Sequence, residues 1–250
     1  MAQENLRGSH RPPLGIPQAP PRFEPVVKIG IVGAGRIGGN LATQWARRGH
    51  DVLISFKRDR GELAAMADAA GAASGSVGDA VAYGDVVVVS VPWATLDIVA
   101  AEAGVGDKPL IDTTNPYAAG GFVGAPGDAS AAEYNARRFA TARLVKAFNT
   151  YTSAFQAEVG DGRHSAPVAM FLGGEDAGAK EVASTLVRDT GFEPVDLGGW
   201  STISLLEAPR RPGAVYGEEY SPDAGRRIAA AAATDVAEAS RLAEELKAAG

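Results

Sequence analysis

Residues 26–40 read VVKIGIVGAGRIGGN, and the fold is decided there. An apolar run over 27–32 meets Gly33-Ala34-Gly35-Arg36-Ile37-Gly38 and passes directly into an amphipathic segment carrying Leu41, Trp45 and Ala46. Strand, tight turn and helix form the context in which G-x-G-x-x-G signals a dinucleotide site. Gly33 permits the turn. Gly35 lacks a Cβ, so backbone can approach a pyrophosphate, and Gly38 lets the helix lie close on the strand. The pyrophosphate is expected at the helix N-terminus, where free N–H groups and the helix dipole favour negative charge. The competing reading is a glycine-rich structural turn in an α/β domain that binds no nucleotide. Arg36 either points toward the phosphates or is a solvated first-turn side chain.

Outward from this motif, apolar runs alternate with helical stretches. Strands are expected at 26–32, 51–55, 85–91, 109–112, 143–148, 167–173 and 193–197. Helices are expected at 37–48, 62–70, 95–103, 130–139, 153–159 and 175–190, with a short strand and helix turn at 76–82. The run DVVVVSV at 85–91 is nearly all β-branched, as suits a central parallel strand buried on both faces. Ser130 followed by Glu133 is a capping box. Residues 117–130 read as a long Gly/Ala/Pro loop, a length that points to function or mobility. Strands alternating with helices imply right-handed crossovers and a covered parallel sheet. The fold class is therefore α/β: a Rossmann-like doubly wound parallel sheet with a small C-terminal helical extension.

Three regions follow from this pattern. Residues 1–24, with Pro12, Pro13, Pro17, Pro20 and Pro21 among polar neighbours, read as a disordered Pro-rich leader. Residues 25–198 form the dinucleotide-binding domain. Residues 199–250 form a small acceptor or dimerisation region. Within it, 209–222 is irregular and 223–249 reads as one Ala-rich helix. Its thin stripe of Ile228, Val236, Ala239, Leu242 and Leu246 packs on its own domain or against a second copy.

Composition narrows the function. The chain has 250 residues, 46% hydrophobic and 22% charged, the balance of a globular protein. A net charge of −6 argues against nucleic acid or an anionic membrane as partner. No cysteine is present, which excludes disulfides, thiolate metal sites and Cys nucleophiles. His10, His50 and His164 are scattered without ligand spacing, so no metal centre is expected. No apolar run reaches the roughly 20 residues of a membrane span, and no signal-peptide pattern opens the chain. A cytoplasmic location is expected.

The second strand discriminates between dinucleotides. NAD sites place an acid about 20 residues after the glycine motif, on the ribose 2′-OH. Here the strand ends Ile54-Ser55-Phe56-Lys57-Arg58. Ser55 offers a hydroxyl, Arg58 a forked contact and Lys57 a point charge, a set suited to a 2′-phosphate. NADP(H) is expected over NAD(H). Lys57 and Arg58 as a merely solvated loop is the other reading, and Asp59 is an acid close enough to turn toward a ribose.

KIGIVGAGRIGGNLA, ISFKR, VVVVSVPW, DTTNPY and VKAFNT together resemble the NADP-dependent deazaflavin reductases, the NADPH:coenzyme F420 oxidoreductases and their relatives, over about Lys28 to Glu207. Ser55-Phe56-Lys57-Arg58 combined with Lys146-Ala147-Phe148-Asn149-Thr150 is the more specific part of the match. The resemblance implies hydride transfer between NADP(H) and a deazaflavin, coenzyme F420, held against the nicotinamide. It implies that Ser90, Val91 and Pro92 line the dinucleotide near its nicotinamide half and that Asn115 and Pro116 close that pocket. It implies that Asn149 and Thr150 stand where nicotinamide meets acceptor. Two departures bear on the acceptor: the Gly/Pro loop at 117–130, and Ala208-Pro209-Arg210-Arg211-Pro212.

Hydride transfer to a deazaflavin asks little of side chains beyond position and a dry pocket. A ketone or imine acceptor would need a proton donor, for which Lys146, Tyr117, Tyr151 and Asp112 are candidates. Trp93 stacks on a cofactor ring or packs at the rim. Arg210 and Arg211 hold an anionic acceptor or form an ordinary charged loop. The leading expectation is an NADP(H)-dependent oxidoreductase with a small-molecule acceptor, acting as a homodimer, with Asn149, Thr150 and Lys146 as catalytic candidates. The alternatives are a ketone or imine reductase on the same scaffold, and a non-catalytic NADP sensor.

Overall fold

The computed structural model describes residues 26–56, 59–128 and 130–247. The expected leader and the Lys57-Arg58 pair lie outside them. In chain order the elements are β1 (Lys28–Val32), α1 (Arg36–Arg47), β2 (Asp51–Ser55), α2 (Arg60–Ala70), β3 (Ala73–Ser74), α3 (Val77–Tyr83), β4 (Val86–Val89), α4 (Leu96–Ala103), β5 (Pro109–Asp112), β6 (Tyr117–Ala118), β7 (Gly121–Phe122), α5 (Ala131–Arg138), β8 (Arg143–Lys146), α6 (Ser153–Gly160), β9 (Ala169–Leu172), α7 (Ala177–Asp189), β10 (Glu193–Asp196), α8 (Pro222–Ala232) and α9 (Val236–Lys247).

Six strands make one sheet in the order β3-β2-β1-β4-β5-β8, every pair parallel. The chain winds outward from β1 through β2 to β3, then returns to the other side of β1 for β4. β1 and β4 are therefore neighbours whose crossovers leave in opposite directions. Such a switch point opens a crevice at the carboxyl ends of the strands. Val32 pairs with Ser55 on one side and Val89 on the other, which sets the ends of β1, β2 and β4 level beneath that crevice.

Both faces of the sheet are covered. Leu41 and Trp45 of α1, Leu63 of α2, and Leu186 and Val187 of α7 pack with Ile29, Ile31 and Ile54 on one face. Val77 and Val81 of α3, Leu96 and Val99 of α4 and Ala131 of α5 pack with Val32, Val87 and Val89 on the other. The all-valine β4 is buried along its length, and burial of each such side chain stabilises the fold by about 1.5–3 kcal/mol. Trp45 is fully enclosed, and its indole N–H donates to the Leu186 carbonyl at 2.9 Å.

The structure departs from the sequence reading in three places. β9 and β10 do not extend the six-stranded sheet in parallel. They pair with each other, and Gly173 joins them to Lys146 by an antiparallel bridge of two backbone hydrogen bonds, 2.8 and 3.1 Å. Helix–strand alternation reveals the β9–α7–β10 unit but not the direction in which it meets its neighbour. The loop at 117–130 contains an antiparallel pair, β6 with β7, and a 3₁₀ turn over Pro126–Asp128. The expected single C-terminal helix is two. The break falls at Thr234-Asp235, where the Asp235 carboxylate accepts from the Ala237 amide at 2.8 Å and restarts the helix. Of the apolar stripe, Ile228 and Ala239 are buried with Phe171 and Val195 of the β9–β10 pair, and Val236, Leu242 and Leu246 pack against that cluster while partly exposed.

Candidate functional site

The glycine motif sits at the crevice, and its three glycines occupy different environments. Gly33 has φ 123°, and a Cβ there would overlap the Ser90 carbonyl. A Cβ on Gly38 would overlap the Gly33 carbonyl, so α1 can lie this close to β1 only with glycine there. Gly35 is the opposite case: nothing stands within 4 Å of where its Cβ would be, and its φ of −83° suits any residue. Fold geometry thus requires Gly33 and Gly38. Gly35 instead leaves open space at the N-terminus of α1.

That N-terminus is unfilled by the protein itself. Helices α2, α3, α5, α6, α7 and α8 are each capped by a side chain: Asp59, Ser76, Ser130, Thr152, Asp176 and Ser221. Helix α1 has Gly35 at its cap, no side-chain cap and no acid in its first turn. Its first N–H groups and dipole are free for an anion. A cleft of about 570 Å³ opens here, lined by Gly33, Ala34 and Gly35 after β1, Ser90, Val91 and Pro92 after β4, and Phe56, Thr95 and Ile98. The residues present fit a dinucleotide: a glycine cradle, a free helix end and an apolar trough at the switch point.

The remaining expected cofactor residues are placed variously. Arg36 is exposed at the first position of α1. Ile37 is partly buried against the core. Ser55 is fully enclosed, and its hydroxyl donates to the Ile31 carbonyl at 3.1 Å. Its one proton is therefore committed to the main chain rather than offered to a phosphate, which corrects the expected role. Lys57 and Arg58 lie outside the described residues. Asp59 caps α2 by accepting from the Glu62 amide at 2.9 Å, so its carboxylate is engaged with the helix.

Asn115 and Asn149 are brought together. Asn115 Nδ2 donates to the Asn149 carbonyl at 2.9 Å, and Asn149 Nδ2 donates to Asn115 Oδ1 at 3.2 Å and to the Leu206 carbonyl at 2.8 Å. Asn149 Oδ1 is buried without a partner. Thr150 is buried and opens on a separate recess beside Tyr151 and Glu219. Lys146 is wholly enclosed. Its ammonium donates to Asp112 Oδ2 at 2.9 Å and to the Thr114 carbonyl. Asp112 also accepts from the Thr114 amide and from Asn135, 2.8 Å each. Lys146 therefore anchors the turn leading to Asn115 and does not line the cleft.

Tyr151 donates to the Ala169 carbonyl at 2.9 Å, and burial pushes its phenol well above the usual range. Trp93 stacks on Tyr134 at 6.2 Å, with the Arg138 guanidinium 5.0 Å from its ring, so it packs on α5. Arg210 is engaged by Glu218 through two hydrogen bonds, 2.6 and 2.8 Å. Arg211 donates to the main-chain carbonyls of Glu207, Pro209 and Ser204.

Sequence reasoning did not single out a second cleft of about 530 Å³. One wall comes from Ser130, Ala131 and Glu133 at the start of α5. The other comes from Trp200, Ile203, Ser204, Glu207 and Arg211, and Pro116 and Phe122 close its edge. Its parts are far apart in sequence, so no single stretch of the chain marks it. Burial pushes the Glu207 carboxyl above its ordinary value, against the opposing influence of Lys146 and of two amide hydrogen bonds. Among the described residues no His/Asp/Glu group could hold a metal ion. No helix there is long and apolar enough to cross a membrane.

Residues 28–116 match the family described as NADP oxidoreductase, coenzyme F420-dependent, which bears out the resemblance over that segment. The rat metalloreductase STEAP3 is 29% identical over 188 residues, 72% of this chain and 36% of that protein, so the chain spans little more than a third of that curated relative. A hypothetical protein from Sinorhizobium meliloti superposes with a TM-score of 0.69 at 25% identity, covering 79% of this chain and 97% of its own. A candidate F420-dependent NADP reductase from Arthrobacter superposes at 0.61 with 26% identity, covering 71% and 87%.

Proposed function

We propose, from the match of residues 28–116 to the F420-dependent NADP oxidoreductases, that this chain is an NADP(H)-dependent oxidoreductase whose hydride acceptor is a deazaflavin. The observation that carries the nucleotide half of this reading is the contrast among the three glycines. Two are closed in by backbone and one faces open space at an uncapped helix end, which is the cradle a pyrophosphate needs. Held at the glycine cradle, NADP(H) would supply the hydride chemistry, with the balancing proton drawn from solvent.

The residues of this chain hold and orient. The α1 N-terminus binds the pyrophosphate. Val91, Pro92 and Ile98 give the trough apolar walls against which a ring can pack. The Asn115–Asn149 pair ties together the loops after β5 and β8. The acceptor is assigned to the second cleft, where Trp200 and Phe122 offer ring faces and Arg211 a cation without a carboxylate partner among the described residues.

A ketone or imine would require a proton donor at the cleft. Lys146 and Asp112 are enclosed and paired with each other, the Tyr151 hydroxyl is given to the Ala169 carbonyl, and Tyr117, 40% exposed, does not line the glycine-motif cleft, which favours the deazaflavin. The test is NADPH oxidation, followed by loss of the reduced-nicotinamide absorbance, with oxidised deazaflavin as acceptor and NADH as control. NADPH-selective turnover is expected. Tight NADPH binding without turnover would overturn the acceptor and leave the nucleotide site standing.

A further inference from the structure

We propose that Glu207 is the positioning residue of the second cleft, its carboxylate clasping the first two amides of α5 and so fixing the two walls of that cleft against each other. The assignment of the cleft to an acceptor rests on the function proposed above; the clasp itself rests on geometry.

Glu207 is 6% exposed. Its Oε1 accepts from the Ala132 amide at 2.7 Å and its Oε2 from the Ala131 amide at 3.2 Å, across 75 and 76 residues of chain. Helix α5 does not need this carboxylate in order to begin. Ser130 already accepts from the Glu133 amide at 3.0 Å, and Glu133 returns the bond in a complete capping box. Local capping serves the helix, and the distant carboxylate serves a connection. An enclosed carboxylate is unfavourable unless its oxygens are paired, and both are.

The strap around Glu207 has two further attachments. The Leu206 carbonyl accepts from Asn149 Nδ2 at 2.8 Å, and the Glu207 carbonyl accepts from Arg211 Nη1 at 2.8 Å. One short segment therefore links the Asn115–Asn149 pair, the start of α5 and the arginine of the second cleft. Ser130 and Ala131 stand on one wall, Ser204 and Arg211 on the other, and Glu207 bridges them. Loss of the clasp frees the C-terminal wall while leaving the glycine cradle untouched.

Two substitutions break the clasp from opposite sides. Glu207→Gln keeps the shape but faces an amide donor with another donor. Ala131→Pro removes the other partner without altering charge. Proline suits the first helical position, and the preceding Ser130, at φ −62° and ψ 153°, already has the extended conformation proline requires. The experiment measures, in the full chain, steady-state kinetics with NADPH and oxidised deazaflavin, NADPH affinity by calorimetry, and amide exchange at the start of α5. Both variants are expected to raise the acceptor KM about tenfold, the loss of one charge-assisted hydrogen bond. NADPH affinity stays within about twofold, and exchange at Ala132 quickens in Glu207→Gln. An unchanged acceptor KM in both variants overturns the proposal, as does a parallel loss of NADPH affinity. If the wild-type chain does not reduce deazaflavin, the acceptor reading fails by itself. Exchange then decides the clasp: equal rates at Ala132 in wild type and Glu207→Gln would overturn it.

Discussion

Lys146 Nζ lies 2.9 Å from Asp112 Oδ2, with both side chains sealed from solvent at 0% and 3% exposure. The pair stands at the ends of two adjacent parallel strands, which align Asp112 with Lys146 in register. An ion pair enclosed this way is costly to break from one side, because the remaining charge is left in a poorly solvating interior. Lys146→Met is expected to lower unfolding free energy by about 3–5 kcal/mol. The double variant Lys146→Met with Asp112→Asn should recover part of that loss. Urea unfolding of the three proteins checks this, and a single variant as stable as wild type would refute it.

Gly35 and Gly38 should separate binding from folding. Gly35→Val meets open space at an ordinary φ, so its melting temperature should match wild type while NADPH binding disappears, the side chain filling the phosphate position. Gly38→Ala would press on the Gly33 carbonyl, so both stability and binding should fall. Thermal melts combined with calorimetric titration distinguish the two, and a folded Gly35→Val that still binds NADPH would remove the cradle.

Selectivity for the 2′-phosphate should not depend on Ser55, whose hydroxyl is engaged by Ile31. Ser55→Ala is expected to leave the ratio of NADPH to NADH affinity unchanged. Arg58→Ala should reduce that ratio by about tenfold or more, the value of a charged hydrogen bond. Affinities for both nucleotides in both variants give the answer. Equal losses of NADPH and NADH in Arg58→Ala would mean the arginine does not read the phosphate.

Glu207 gives stability a defined pH dependence. Burial raises its folded-state pKa above the ordinary 4.5, so the native state binds a proton more readily than the unfolded chain. Its contribution is fully present below 4.5 and is lost as pH rises through the higher folded value. Wild type should therefore lose stability relative to Glu207→Gln across that interval. Denaturant unfolding at a series of pH values checks the sign; a difference that stays flat, or runs the other way, contradicts it.

Much of this was legible in the chain because it is local. The VVVV run, the glycine motif and the Ser130–Glu133 box each carry their structural reason within a few residues, and each forms where expected. What was not legible depends on partners distant in sequence. Ser55 looked like a phosphate donor because its strand-end position is visible, whereas the Ile31 carbonyl that takes its proton lies on the neighbouring strand. Lys146 looked like a proton donor, and only tertiary packing shows that Asp112 and Thr114 enclose it. The break at Asp235 was locally signalled, by an acid followed three residues later by Glu238, but the alanine richness on either side masked it. Glu207 acquires meaning only against helix α5, some 75 residues earlier.

Lys146 and Gly173 exchange two backbone hydrogen bonds where the other neighbours in the sheet share longer ladders. Mechanically the protein is thus a six-stranded body with an appended C-terminal third, joined by that short rung, by α7, which spans both, and by the side-chain ties from Glu207 to α5 and from Asn149 to Leu206. Under load applied to the chain ends, the appended third should detach first. The β1–β4 crevice, deep in the remaining body, would keep its shape until the ladders themselves gave way.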